Sequence, residues 1–158
     1  MDDIEAIKRL KARYCRLMDT KDWNGYRELF TDDVTVDLEL AGEAVPGQGQ
    51  DSTEAAGAVI AGADSFLAML VPTLGEVVTV HQCHTPEIDV LSPSTARGIW
   101  AMEDLLRFPD GTELHGFGHY HETYEKQGED WLIKSTRLTR LRTDVVAGPQ
   151  VARRQIAE

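Results

Sequence analysis

Val77-Val78-Thr79-Val80-His81-Gln82-Cys83-His84-Thr85-Pro86-Glu87-Ile88 opens the strand-rich half of the chain. Its opening residues are β-branched and suit a pleated, half-buried surface. Side chains alternate faces along a strand, so Val77, Thr79, His81 and Cys83 share one face. Val78, Val80, Gln82 and His84 share the other. Pro86 lacks a backbone donor and marks an edge or a bend. His81 therefore projects toward whichever face the fold encloses.

After this stretch the chain is mostly strand. Thr95–Phe108, Thr112–Lys126 and Trp131–Thr143 follow, separated by Ser92-Pro93-Ser94, Pro109-Asp110-Gly111 and Gln127–Asp130. Those separators are turn sequences. Long hairpin-joined strands predict one strongly curved antiparallel sheet.

Before it the chain is mostly helix. Ile4, Ile7, Leu10, Tyr14, Leu17 and Met18 recur at three- and four-residue steps over Asp3–Met18. Lys8, Arg9, Lys11 and Arg13 lie around the other side, as in an amphipathic helix. Lys21–Phe30 reads as a short second helix and Val34–Leu40 as a first strand. Ala41–Ala56 lacks any period and reads as a loop long enough to be a lid or an insertion. Gly57–Ala61 is expected to form a short strand. Asp64 then opens a helix through Leu70 that stops near Pro72. Helices first and strands later predict an α+β fold with helices packed on one face of the sheet.

The 158 residues suffice for one domain with a sizeable core. We place it at 1–143, with 144–158 as a C-terminal tail. A net charge of −11 argues against nucleic acid and anionic membrane surfaces as partners. No apolar run reaches membrane-spanning length. The acidic, helical N-terminus does not read as a targeting peptide. Cys15 and Cys83 belong to no CxxC pair, so reduced thiols in a cytoplasmic protein are expected.

Five histidines fall late in the chain. His119 and His121 share a strand face, but spacing offers no third ligand, so no metal is expected. Nucleophile elbows and phosphate-binding glycine loops are absent. General acid–base chemistry fits best: a histidine base, an aspartate that orients it and a tyrosine donor. Asp19 stands at the end of the first helix, where it either caps the next helix or partners a donor. Tyr14 and Asp19 are five residues apart, about 140° around a helix. They cannot share a helical face. Asp19 would reach a common pocket only if the helix ended before it and the chain turned inward.

The segment from Asp3 through Tyr14 to Asp19 resembles the opening helix of the SnoaL-like family of the nuclear-transport-factor-2-like superfamily. His81-Gln-Cys-His84-Thr-Pro-Glu87, Gly98-Ile-Trp-Ala-Met-Glu-Asp104, and Tyr124-Glu-Lys with Trp131 continue the pattern. The resemblance spans roughly Met1–Arg142. Bile-acid dehydratase, scytalone dehydratase and lindane dehydrochlorinase belong to this group. It implies a cone-shaped α+β barrel: a curved antiparallel sheet encloses a pocket covered by the N-terminal helices. It places a catalytic tyrosine at Tyr14, aspartate at Asp19 and histidine at His81, with a pocket arginine at Arg140. Arg140 would either bind an acidic group or sit in a structural ion pair. Trp100, Met102 and His119 are expected to join it around the substrate. Two departures stand out. Ala41–Ala63 is longer than the pattern, and His119 and His121 replace aromatic or small polar residues. The implied activity is a cofactor-independent, dehydratase-like lyase acting on a small apolar cyclic substrate such as a steroid, terpenoid or aromatic polyketide. The alternatives are a non-catalytic ligand-binding module, or an isomerase or cyclase using the same pocket. A homodimer or homotrimer is expected.

Overall fold

A computed structural model describes residues 2–38 and 59–148. The order is α1 (Asp3–Asp19), α2 (Trp23–Arg27), β1 (Phe30–Leu38), β2 (Ile60–Ala61) and α3 (Ala63–Leu74), then β3 (Val78–Ser92), β4 (Thr95–Arg107), β5 (Glu113–Gln127) and β6 (Asp130–Val146). One six-stranded sheet runs β2-β1-β6-β5-β4-β3. It is curved and not closed, with the helices on its inner side.

The sheet is mixed rather than purely antiparallel, because β1 pairs with β6 in parallel. A parallel neighbour needs a long crossover. Here the whole run from β2 to β5 lies between the two strands. The lid expected at Ala41–Ala56 lies outside the described residues, as does the expected tail beyond residue 148; residues 144–146, expected to open that tail, instead continue β6 against β5.

Asp2 caps α1, its carboxylate accepting from the Ile4 backbone N–H at 3.1 Å. Ile7, Leu10, Tyr14, Leu17 and Met18 bury the apolar stripe. The helix extends one residue beyond the predicted end and includes Asp19. Lys21 takes a left-handed φ of 59° where the chain reverses. Asp22, not Asp19, caps α2 by accepting from the Gly25 N–H at 3.0 Å.

Helix α2 is shorter than its apolar residues suggest, since Phe30 already begins β1. Phe30 is placed by ring contacts with Tyr14, Tyr26 and Phe66 rather than by helical period. Conversely, α3 runs on through Pro72 for two residues. A proline near a helix end forfeits only one ladder bond.

Strands β4 and β5 alternate in burial up to their last three residues. Trp100, Met102 and Asp104 on β4, and Tyr120, Glu122 and Tyr124 on β5, face the helices. Of the register shifts in the sheet, two bear on the site. In β3 one extra residue sits between His84 and Glu87, where Thr85 has φ 35° and Pro86 follows. Edge position and bulge together accommodate that proline. In β6 the shift between Arg142 and Arg140 leaves Leu141 looped out and 76% exposed. Arg140 is thereby opposite Gly118 and aimed inward.

Candidate active site

The end of α1 lies against the start of β3. His81 Nδ1 is 2.7 Å from Asp19 Oδ1, and the His81 backbone N–H donates to Asp19 Oδ2 at 2.8 Å. Thr79 Oγ1 donates to Oδ1 at 2.9 Å and accepts from Lys21 Nζ at 3.0 Å. Both carboxylate oxygens are held, so the carboxylate cannot rotate away from the ring. An ionised carboxylate can only accept, which puts the imidazole proton on Nδ1 and leaves Nε2 as the basic nitrogen. The His81 side chain is 6% exposed and that of Asp19 22%.

Burial opposes ionisation of Asp19, but the bonds from the His81 ring, the His81 backbone and Thr79 outweigh it. Its pKa lies below the ordinary carboxylate value. The stability this contributes is present above the unfolded-state pKa, about 3.9, and is lost as pH falls through the lower folded value. Urea unfolding of wild type and Asp19→Asn should therefore show a stability gap that narrows on acidification below about pH 4. A gap that stays constant or widens there would contradict the bonding described.

A cavity of about 480 Å³ opens beside this pair. Lys8, Lys11 and Cys15 of α1, His81 and Cys83 of β3, and Trp100 of β4 line it. Two of its lining residues, Lys11 and Trp100, belong to a buried polar network. Lys11 Nζ bonds Glu122 Oε1 at 2.6 Å, with side chains 1% and 0% exposed. Tyr124 Oη donates to Glu122 Oε2 at 2.6 Å and accepts from Trp100 Nε1 at 2.8 Å. Thr136 Oγ1 donates to Glu122 Oε1 at 3.1 Å. The ammonium also sits over the rings of Tyr14 and Tyr120, 3.7 and 3.6 Å from their centroids. Burial disfavours the Lys11 charge, yet Glu122 and the surrounding groups more than restore it, so the amine stays protonated.

Among the residues expected at the site, the structure brings Asp19 and His81 together and puts Trp100 on the cavity wall. Tyr14 lies elsewhere. It is 2% exposed, packed edge-on or tilted against Tyr26, Phe30 and Tyr120, and does not line the cavity. Burial raises its pKa, against the charge of Lys11. The expected 140° separation holds, but α1 did not have to end before Asp19. Strand β3 comes to the aspartate instead. Met102 is inward and buried in the core. His119 is on the outer face, because it alternates with the inward Gly118 and Tyr120. It is not positioned to touch a ligand in this cavity. His121 is on that outer face too, bonded to Thr139 at 3.1 Å. Among the described residues no three His, Cys, Asp or Glu side chains gather as a metal ion would need.

Arg140 makes two bonds to Asp104, at 2.9 and 2.7 Å. This is the structural ion pair of the two alternatives. Asp104 is directly opposite His81 in the β3–β4 register. The pair depends on Gly116: a Cβ there would come within 1.8 Å of Arg140 Nη1 and 2.3 Å of Asp104 Oδ1. Gly116→Ala should therefore displace the guanidinium and cost about 1–3 kcal/mol in chemical denaturation, as overpacking does. Stability within a few tenths of a kcal/mol of wild type would show that the pair does not need this space.

Sequence reasoning missed Thr79, Asp104 and the Lys11–Glu122 pair. The signal for the last was present. Lys11 follows Ile7 by four residues on the apolar stripe, and Glu122 alternates with Tyr120 and Tyr124 on an inward face.

Residues 1–137 match the SnoaL-like domain, and the chain belongs to that family. The protein named probable cyclase FGR4 of Gibberella zeae is 27% identical over 147 residues, covering 85% of this chain and 89% of the relative. Among solved structures, hexachlorocyclohexane dehydrochlorinase LinA-type3 of Novosphingobium barchaimii superposes with TM-score 0.72 at 15% identity, over 92% of this chain and 91% of that one. A scytalone dehydratase-like protein of Novosphingobium aromaticivorans superposes with TM-score 0.71 at 22% identity, over 92% and 91%. At those identities the structures establish the shared fold. No described helix is long and apolar enough to cross a membrane.

Proposed function

We propose that the protein is a cofactor-independent lyase that dehydrates a small, uncharged, largely apolar cyclic substrate. The observation that carries this is the 2.7 Å Asp19–His81 bond, on a carboxylate anchored at both oxygens, at the wall of a cavity. A positioned base with a fixed tautomer is what proton abstraction next to a carbonyl requires. His81 Nε2 takes the α-proton reversibly, and the electron pair of that C–H bond rests on the carbonyl as an enolate before it forms the new C=C bond. The β-carbon–oxygen bond breaks. The imidazolium, stabilised by Asp19, returns its proton to the departing hydroxyl, and water leaves. Tyr14, sealed in the core, supports the Lys11 ammonium above its ring rather than meeting the substrate.

The cavity volume falls within the range that holds a drug-sized molecule. The cations that line it, Lys8 and Lys11, are paired with Glu5 and Glu122. That favours a neutral ligand such as a steroid, terpenoid or aromatic polyketide over an acid. The relative named as a cyclase supports a second reading, in which the same base delivers its proton to a ring-closing step.

The test is a panel of cyclic β-hydroxy ketones, steroid enones and aromatic polyketides in deuterated water. Loss of one water, with deuterium entering the α-position of recovered substrate, is the expected result. Deuterium entry with no water lost points to isomerisation or cyclisation. Ligands that raise Tm without either reaction would replace the lyase with a binding module.

A further inference from the structure

The cavity wall holds a second reactive group that the acid–base reading does not use. Cys15 of α1 and Cys83 of β3, 68 residues apart in sequence, lie 3.6 Å apart, Sγ to Sγ. Both are free and half-buried, and both line the cavity. Cys15 is one helical turn before Asp19, and Cys83 shares a strand face with His81 two residues earlier. They are the chain's two cysteines. We infer that Cys15 and Cys83 form a peroxide-reactive dithiol that closes an intramolecular disulfide across the cavity wall, tying α1 to β3.

A disulfide needs its sulfurs at about 2.05 Å, so the pair must close by about 1.5 Å from the present 3.6 Å. Side-chain rotation on one helix and one edge strand can supply that. The two thiols are unlike. The contact with Cys83 holds the Cys15 thiol below its ordinary pKa, against burial and with help from Lys11 one turn earlier. The same contact, together with burial, raises Cys83. Cys15 follows Lys11 by one helical turn, both on the cavity wall, which places it as the attacking thiol and Cys83 as the resolving one.

In the first step Cys15 Sγ attacks one oxygen of hydrogen peroxide. The O–O bond breaks, hydroxide departs and takes a proton to become water, and Cys15 is left as a sulfenic acid. In the second, Cys83 Sγ attacks the Cys15 sulfur. The S–S bond forms, the S–O bond breaks, and the hydroxyl leaves as water with the Cys83 proton. Two thiols lose two electrons and one peroxide becomes two waters.

The experiment is to treat the reduced full-length chain with hydrogen peroxide at low protein concentration, alkylate, and measure intact mass and Tm. Expected is a monomer lighter by two hydrogens, with neither cysteine alkylated and a Tm raised by roughly 5–15 °C. Dithiothreitol should reverse both changes. Cys83→Ser should stop at a sulfenic acid on Cys15 that dimedone traps, and Cys15→Ser should give no such adduct at the same peroxide dose. Two alkylatable thiols after peroxide, separate sulfinic acids, or crosslinks only between chains would each overturn the inference. None of these readouts depends on turnover, so the result stands apart from the lyase proposal.

Discussion

Replacing His81 with glutamine should lower turnover of the dehydrated substrate by roughly 10²–10⁴-fold, the range that a positioned acid–base group supplies. Folding should change little by comparison. Glutamine keeps an amide that can donate to Asp19, and the backbone N–H of residue 81 still reaches the carboxylate as it does now at 2.8 Å. The fall should appear in kcat rather than KM if the ring acts on the reacting proton as proposed. Asp19→Asn should act through the same ring. An amide at position 19 can donate its N–H to Nδ1, which would move the imidazole proton to Nε2 and leave no base toward the cavity. The double variant should then be no slower than His81→Gln alone, because residues acting as one unit are not additive. Two independent, multiplying losses would separate Asp19 from the base, and an unchanged rate in His81→Gln would remove His81 from the chemistry.

Lys11→Met should be the most destabilising of the single changes considered, by about 3–5 kcal/mol. For a chain of this length that is a fall in Tm of roughly 6–20 °C. Lys11 and Glu122 are both shut away from water. Methionine would fill the space of the lysine stem but leave the Glu122 carboxylate buried, with the Tyr124 and Thr136 hydroxyls as its donors among the described residues. It would also take the cation from between the Tyr14 and Tyr120 rings. The expected loss is therefore mostly that of an orphaned charge. Adding Glu122→Gln should recover much of it, because a neutral amide needs no counter-ion. A loss below about 1 kcal/mol, the scale of an exposed pair, would mean that the network is wetter than its burial indicates.

Much of this architecture was legible in the residue order. Hydrophobic period is a local property, and it identified α1, the four long strands and their turns to within a few residues. It also placed His81 and Cys83 on one face of β3. Period failed where a tertiary contact outranked it. Phe30 left the second helix for β1 because an aromatic cluster receives it there. Lys11 looked like part of a solvated face because lysines usually are. It is buried because Glu122, 111 residues away, supplies the opposing charge.

Residue order carries the helices-then-strands succession, the residue types that acid–base chemistry needs, and the family pattern that joins Tyr14, Asp19, His81 and Arg140. Which of these meet was decided by the tertiary structure alone. Strand pairing sets inward and outward faces across the whole sheet, which turned His119 away from the cavity and set Asp104 opposite His81. The bulge at Leu141 aimed Arg140 inward, and Gly116 left room for its bond to Asp104. The packing of α1 on β3 brought Asp19 to His81, and Cys15 to Cys83, across more than sixty residues of chain. Distances of that kind depend on how elements pack, and no local pattern encodes them.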